Sequence, residues 1–160
     1  AAAPPFVSLI NPADPRFIDP GEMPAKIAAY CQETGQSEPK DPGATIRCVL
    51  ESLALQYRRT LNQIEQLTGT RLERLHVVGG GSRNALLTRF TANAVRIPVI
   101  AGPVEATALG NVAIQAMTLG HLDSLAAARG VVRASSEITV IEAQDADVWK
   151  EAFHRFEELK

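Results

Sequence analysis

The chain has 160 residues, of which 46% are hydrophobic and 21% are charged, an ordinary balance for one soluble globular domain or lobe. Its formal net charge is −2 and it has no basic tract, so nucleic acid is not an expected partner. It has no apolar run of about 18 residues, so no segment is expected to span a membrane. Two cysteines without a Cys-x-x-Cys motif argue against a secreted disulfide scaffold and a zinc site, and the cytoplasm is the expected location.

The first 21 residues form a proline-rich lead-in. Proline removes a backbone donor and restricts its neighbour, so residues 1–21 are expected to be irregular, with a short strand possible at residues 6–10. A lead-in of this kind has to lie on the rest of the domain. It is expected where a chain starts within a larger fold.

Two helices are predicted next. Residues 22–34 carry an apolar stripe, and Asp41 with Pro42 is a typical start for a second, much longer helix that ends at Gly69. A helix of this length is expected to be a central packing element. Its charged side chains are expected to face solvent: Glu51, Arg58 and Arg59.

A glycine turn follows the first clear strand. Residues 75–78 are rich in β-forming side chains, and Gly79, Gly80 and Gly81 come directly after them. Ser82 is expected to cap the next helix. A turn without Cβ atoms lets a ligand approach the backbone, and a helix start offers unpaired N–H groups to a phosphate. The stretch therefore predicts a nucleotide site, with a tight turn that binds nothing as the alternative.

Asn84 is the other candidate ligand contact at this turn. It is expected one turn inside the helix, where asparagine is a mediocre helix former. From there its amide is expected to offer a donor and an acceptor to a purine edge. For Arg83, a phosphate contact and a solvated side chain remain open alternatives.

The spacing Gly79-x-Gly81-x-x-Asn84 is similar to the dinucleotide fingerprint G-x-G-x-x-G, but the third glycine is missing. The next acid, Glu105, lies beyond the following strand rather than at its end, where a ribose-binding acid is expected. No phosphate-binding motif of the G-x-x-x-x-G-K-[ST] type is present. A dinucleotide-dependent oxidoreductase is therefore a weaker alternative.

The second half of the chain predicts an α/β pattern. A strand at residues 97–100 is expected to pair in parallel with the first strand across a right-handed helical connection. Two strands do not make a stable sheet alone, so further strands are expected upstream in a longer protein. The remaining expected elements are a helix from Glu105 to Gly120, a brief helix at residues 123–129, an extended or irregular stretch at residues 131–144, and a last helix capped by Asp145.

Metal-binding and catalytic patterns are not found. His76, His121 and His154 have no metal-ligand spacing and are interpreted as structural or solvated residues. No serine-hydrolase motif is present either. No residue of the chain is therefore assigned a catalytic or metal-binding role.

The two cysteines, Cys31 and Cys48, lie on the apolar stripes of the first two helices. If those helices pack against each other, the sulfurs could meet and form a disulfide. Two buried thiols in a reducing cytoplasm are the equally weighted alternative.

Three stretches resemble the FGGY carbohydrate kinases: residues 46–58, 76–87 and 97–111. The Gly-Gly-x-x-x-Asn turn is shared by many sugar kinases, and the stretch at residues 102–106 is more specific. Residues 8–12 and 30–36 resemble the branch of this family that acts on L-rhamnulose.

The resemblance implies a two-lobed, actin-like (ribonuclease H-like) ATPase fold, of which residues 1–160 form the C-terminal part of the ATP-binding lobe. It implies transfer of the γ-phosphoryl group of Mg-ATP to the 1-hydroxyl of L-rhamnulose. In the family, Gly80 would place its N–H against the phosphates, with Gly79 and Gly81 beside it, and Asn84 would lie beside the adenine. The catalytic aspartate, most sugar contacts and most of the Mg²⁺ site belong to segments outside this chain.

Alternatives to this function are a related sugar kinase acting on xylulose, fuculose or glycerol, and a nucleotide-binding module without turnover. The isolated chain is expected to be inactive.

Overall fold

The computed structural model describes residues 3–159. Within them lie six α-helices and three short strands, together with 3-10 turns at Pro15–Phe17 and Gly80–Arg83. The elements are α1 Met23–Glu33, α2 Pro42–Thr68, β1 Leu75–Val77, α3 Ala85–Val95, β2 Val99–Ala101, α4 Ala106–Thr118, α5 Leu125–Ser135, β3 Thr139–Ile141 and α6 Ala146–Glu157.

The strands form one mixed sheet in the order β1-β2-β3. β1 and β2 are parallel, with Leu75 opposite Val99, as the sequence predicts. β3 pairs antiparallel with β2, with Ile141 opposite Val99. The expectation of an extended or irregular stretch at residues 131–144 is wrong for residues 131–135, which belong to α5. Within the rest, the β-branched run at residues 139–141 forms a third strand that was not predicted.

The fifth helix differs from the predicted brief one. α5 starts after Ser124, whose hydroxyl accepts a 3.1 Å hydrogen bond from the Ala127 N–H, and it continues through Gly130. A glycine inside a helix costs stability without having to end the helix. Asp145 is the N-cap residue of α6, as predicted, but its backbone is left-handed and its side chain makes no capping hydrogen bond.

The lead-in contains no strand at residues 6–10, but this segment is buried on the helices. The Gln36 side-chain amide pairs with both backbone groups of Leu9, at 2.8 and 2.7 Å. The Ile10 N–H donates to the Ser52 hydroxyl at 2.9 Å. Side chains thus replace the neighbouring strand that a β-segment would need for its backbone hydrogen bonds.

The charged residues of α2 do not form a solvated face, contrary to expectation. Glu51 is only 1% exposed. The Arg58 Nη1 donates to the Val95 carbonyl at 2.6 Å, and the Arg59 Nη2 donates to the Phe156 carbonyl at 2.8 Å. Because α2 is covered by the lead-in, α3 and α6, its polar side chains bind the backbone of these neighbours.

The largest apolar cluster joins α2, α3 and α6. Trp149 lies against Phe6, with ring centroids 4.8 Å apart, and against Phe90 at 5.3 Å. On α6 the buried residues are Trp149, Ala152 and Phe156, whereas Val148 is half exposed. This cluster fixes α3, and with it the glycine turn before α3.

The fourth helix, α4, contacts α5. None of the described residues of α4 is buried. No helix among residues 3–159 is long and apolar enough to cross a membrane.

Candidate nucleotide-binding site

The glycine turn lies at the carboxyl end of β1 and is held by backbone bonds to the segment after β2. The Gly102 N–H donates to the Val77 carbonyl at 2.8 Å, and the Gly79 N–H donates to the Pro103 carbonyl at 3.0 Å. The Gly102–Pro103 peptide bond is cis. The two strand ends therefore fix the position of the turn.

Two glycines of the turn are open to a ligand. Gly79 has a φ of 77°, in the region that favours glycine. A Cβ on Gly80 or Gly81 would meet no heavy atom within 4 Å. No described residue accepts a hydrogen bond from the N–H of either Gly80 or Gly81, because these groups begin the short 3-10 turn. Two backbone donors at the predicted phosphate position thus lack an acceptor among the described residues.

The cap of α3 is Asn84 and not Ser82. The Asn84 Oδ1 accepts a 3.0 Å hydrogen bond from the Leu87 N–H. The Ser82 hydroxyl instead donates to the Gly79 carbonyl at 2.7 Å, inside the turn. The 3-10 turn shifts the helix start by two residues, so the prediction that Asn84 lies inside the helix is wrong.

This geometry limits what Asn84 can offer to a ligand. Its oxygen is engaged by the helix, and its Nδ2 has no acceptor among the described residues. Nδ2 is thus the unengaged donor, which suits an acceptor nitrogen or a hydroxyl oxygen of a nucleoside, while one of the two lone pairs of Oδ1 is used by the cap.

A cavity of about 600 Å³ opens beside the turn. Its lining includes Arg83 and Arg89 on one side, and Glu137, Glu142 and Gln144 on the other. The segment that bears the second group was expected to be extended or irregular, with no strand assigned, so sequence reasoning missed its place beside the turn. The β-branched run between Glu137 and Glu142 is the signal that could have revealed it.

Cys31 and Cys48 share one buried cluster with Ile10, Ile27 and Tyr30. Both are free thiols in the structure. Hydrogen bonding with Cys31 and burial raise the pKa of the Cys48 thiol. The two thiols therefore share one buried cluster, and the disulfide stays a prediction.

The remaining titratable groups do not converge near the turn. His76, His121 and His154 are all exposed and lie on different elements. Among residues 3–159, no group of three or more His, Cys, Asp or Glu side chains is placed to hold a metal ion. We assign no Mg²⁺ ligand to the described residues.

Residues 1–119 match the family model of the C-terminal domain of the FGGY family of carbohydrate kinases. The chain belongs to this family. The glycine turn, α3 and β2 all lie within the matched residues.

The similar curated proteins are longer than this chain. A rhamnulokinase from Bacteroides thetaiotaomicron is 49% identical over 152 residues, covering 95% of this chain and 31% of that protein. A rhamnulokinase from Pectobacterium carotovorum subsp. carotovorum is 48% identical over 129 residues, covering 81% of this chain and 26% of that protein. The FGGY chain thus spans about a third or less of these relatives.

Solved structures show the same fold. A xylulose kinase from Rhodospirillum rubrum superposes with a TM-score of 0.58 at 24% identity, over 77% of this chain and 25% of that one. A xyloylose kinase from Brucella ovis gives a TM-score of 0.55 at 26% identity, again over 77% and 25%. The predicted α/β class, a partial actin-like (ribonuclease H-like) ATPase lobe, is confirmed, with a three-stranded mixed sheet in place of the expected strand pair.

Proposed function

We propose that this chain is the nucleotide-binding C-terminal part of a cytoplasmic sugar kinase. The parent enzyme transfers the γ-phosphoryl group of ATP to the 1-hydroxyl of L-rhamnulose and gives L-rhamnulose 1-phosphate. The observation that carries the proposal is the open backbone at Gly80 and Gly81, where a Cβ would meet no heavy atom within 4 Å and neither N–H has an acceptor among the described residues.

These groups suit the phosphates of ATP. Backbone N–H groups that are fixed before binding stabilise negative charge without reorganisation, and phosphoryl transfer depends mainly on positioning and charge neutralisation. In this proposal Gly80 donates to a phosphate, Gly79 and Gly81 allow the approach, and Asn84 Nδ2 contacts the nucleoside. Mg²⁺, when bound with ATP, neutralises phosphate charge, and its protein ligands lie mainly outside the described residues.

L-Rhamnulose is proposed as the sugar because two relatives that are 49% and 48% identical are rhamnulokinases. The xylulose kinase likeness, at 24% identity, supports the fold alone. Kinases of xylulose, fuculose or glycerol, and a nucleotide-binding module without turnover, are the competing functions. Membership in a carbohydrate-kinase family favours a nucleoside triphosphate over a dinucleotide.

The test is a coupled ADP-release assay on the longer natural protein with Mg-ATP and a panel of L-rhamnulose, xylulose, L-fuculose and glycerol. The highest kcat/KM is expected with L-rhamnulose, and a reaction without sugar is the control. A higher kcat/KM with another sugar would replace the substrate. Saturable ATP binding without ADP release from any sugar would favour the binding module.

A further inference from the structure

Away from the glycine turn, three arginines face one small cavity. The cavity has a volume of about 220 Å³, and Arg58, Arg71 and Arg96 line it together with Asn62 and Glu65. Arg71 precedes β1 and Arg96 precedes β2, so the cavity lies at the amino-terminal ends of the parallel strands. The glycine turn follows the carboxyl end of β1, so the cavity and the turn lie at opposite ends of this strand.

The arginines have few partners in the protein. The half-buried Arg58 uses its Nη1 for the 2.6 Å bond to the Val95 carbonyl, which fixes the plane of its guanidinium. Arg71 and Arg96 are exposed at the rim of the cavity and make no ion pair with any of residues 3–159. Because a guanidinium carries five N–H donors, most of the donors around this cavity lack a protein acceptor.

The charges around the cavity are unbalanced. Burial lowers the pKa of Arg58, and the charges of Arg96 and Arg71 lower it further. Glu65 is the carboxylate in the lining, and its Oε1 already accepts a 2.8 Å hydrogen bond from the Leu72 N–H. Glu157, outside the lining, is the other carboxylate whose charge acts on Arg58. Within the lining of the cavity, three guanidinium groups therefore face one carboxylate, which is already partly engaged. A bound anion would reduce the repulsion among the three positive charges.

The backbone of Arg96 is a second, independent observation. Arg96 closes α3 with a φ of 62°, in the left-handed region where glycine is the usual residue. Any residue with a Cβ is disfavoured there, and an arginine at this position gives the cavity a cation that a glycine could not.

We propose that this cavity binds a phosphoryl oxyanion, supplied either as inorganic phosphate or as the phosphate group of a small monoester. Guanidinium forks match the geometry of phosphate oxygens and form charge-assisted hydrogen bonds with them. The volume admits a phosphate group, and the surface of the lining is mainly polar. The cavity is a second anion site, separate from the proposed ATP contacts and independent of the identity of the sugar.

Isothermal titration of the purified chain with inorganic phosphate, and separately with methyl phosphate, in chloride buffer tests this site. Arg96→Gly is the decisive variant, because glycine suits the φ of 62° and the fold is retained. Arg71→Gln, at an exposed position, removes a second cation without affecting the core. Arg133→Gln on α5 is the matched control, since it loses the same charge from an exposed arginine outside the cavity.

Wild type is expected to bind phosphate saturably, and each cavity variant to weaken binding about tenfold or more, whereas Arg133→Gln changes it by less than about twofold. Equal binding of methyl phosphate would identify a monoester as an acceptable ligand, and rejection of it would identify the free ion. The proposal is overturned by the absence of saturable binding, by an equal loss in Arg133→Gln, or by a loss in Gly80→Val that the cavity variants do not show. The last outcome would place the anion at the glycine turn.

Discussion

The backbone N–H of Phe6 donates a 2.8 Å hydrogen bond to the carboxylate of Glu51, although 45 residues separate them. The other carboxylate oxygen of Glu51 pairs with Arg47 Nε at 2.7 Å. This buried carboxylate thus joins the lead-in to α2. Glu51→Ala is expected to destabilise the fold by about 3 kcal/mol, because it leaves Arg47 and the Phe6 N–H without their acceptor. Urea unfolding measures this, and a loss below about 0.5 kcal/mol, typical of a surface site, would contradict it.

The same carboxylate predicts a pH dependence. Burial raises the pKa of Glu51 above its ordinary 4.5, and the hydrogen bonds from Phe6 and Arg47 oppose this only in part. The folded state then holds the Glu51 proton more tightly than the unfolded state does. The contribution of Glu51 to stability is therefore full below pH 4.5 and is lost as the pH rises through the folded pKa.

Urea unfolding of wild type and Glu51→Gln across this pH range isolates the effect, since glutamine keeps an acceptor for Phe6 but does not titrate. The stability of wild type relative to Glu51→Gln should fall with rising pH. A difference that grows instead would mean that the pairing with Arg47 outweighs burial.

A side chain at Gly102 is expected to clash with the segment before β3 and to destabilise the fold. It has a φ of 109°, and a Cβ there would lie 2.5 Å from the Glu137 carbonyl oxygen. Gly102→Ala should cost roughly 2 kcal/mol or more. Gly130→Ala in α5 is the matched control, because its Cβ meets open space and alanine favours the helix by roughly 0.5–1 kcal/mol. Gly102→Ala is expected to lower the urea midpoint and Gly130→Ala to raise it. A midpoint that is not lowered in Gly102→Ala would contradict the close approach of Gly102 to Glu137.

The sequence predicted most of the elements because their signals are local. Asp41 with Pro42 starts α2, and Gly69 ends it with a φ of 66°, as the cap pattern indicates. β3 was missed because it is three residues long and depends on pairing with β2. The charged residues of α2 were misplaced for a related reason. The acceptors of Arg58 and Arg59 are carbonyls distant in sequence, and a helical pattern does not report them.

At the candidate site, composition identified the glycine turn but not its inner geometry. Both Ser82 and Asn84 are good capping residues, so the sequence alone does not choose between them. The choice depends on the 3-10 turn, in which Ser82 bonds back to Gly79. The cavity residues Glu137 and Glu142 reach the turn only through β3, whose placement was not predicted.

The cysteine pair predicts a specific oxidation product. Because Cys31 and Cys48 are buried next to each other, oxidation should remove both thiols together and leave a monomer. Thiol counting on unfolded protein, before and after oxidation, measures this, and Cys31→Ser is the control that retains one protected thiol. Two thiols that persist after oxidation, or a disulfide-linked dimer, would exclude the internal bridge.

The 160-residue chain alone should release no ADP above background with Mg-ATP and L-rhamnulose. Phosphoryl transfer needs a carboxylate near the sugar hydroxyl, a metal-held triphosphate and closure over both. The described residues offer two backbone donors without acceptors at the glycine turn and no grouped metal ligands. Weak ATP binding is compatible with this prediction. Sugar-dependent turnover that Gly80→Val abolishes would show that a catalytic residue was missed.

Gly80→Val in the longer natural kinase tests the central claim most directly. The new side chain enters open space in the protein, so it should disturb only a bound nucleotide. The KM for ATP is expected to rise about tenfold to a hundredfold, as for the loss of a hydrogen bond to a charged group, while the KM for the sugar changes by less than about threefold. Gly130→Val, also in open space but on α5, should change neither value. An unchanged KM for ATP, or an equal rise for ATP and sugar, would contradict the assignment of this turn as the phosphate contact.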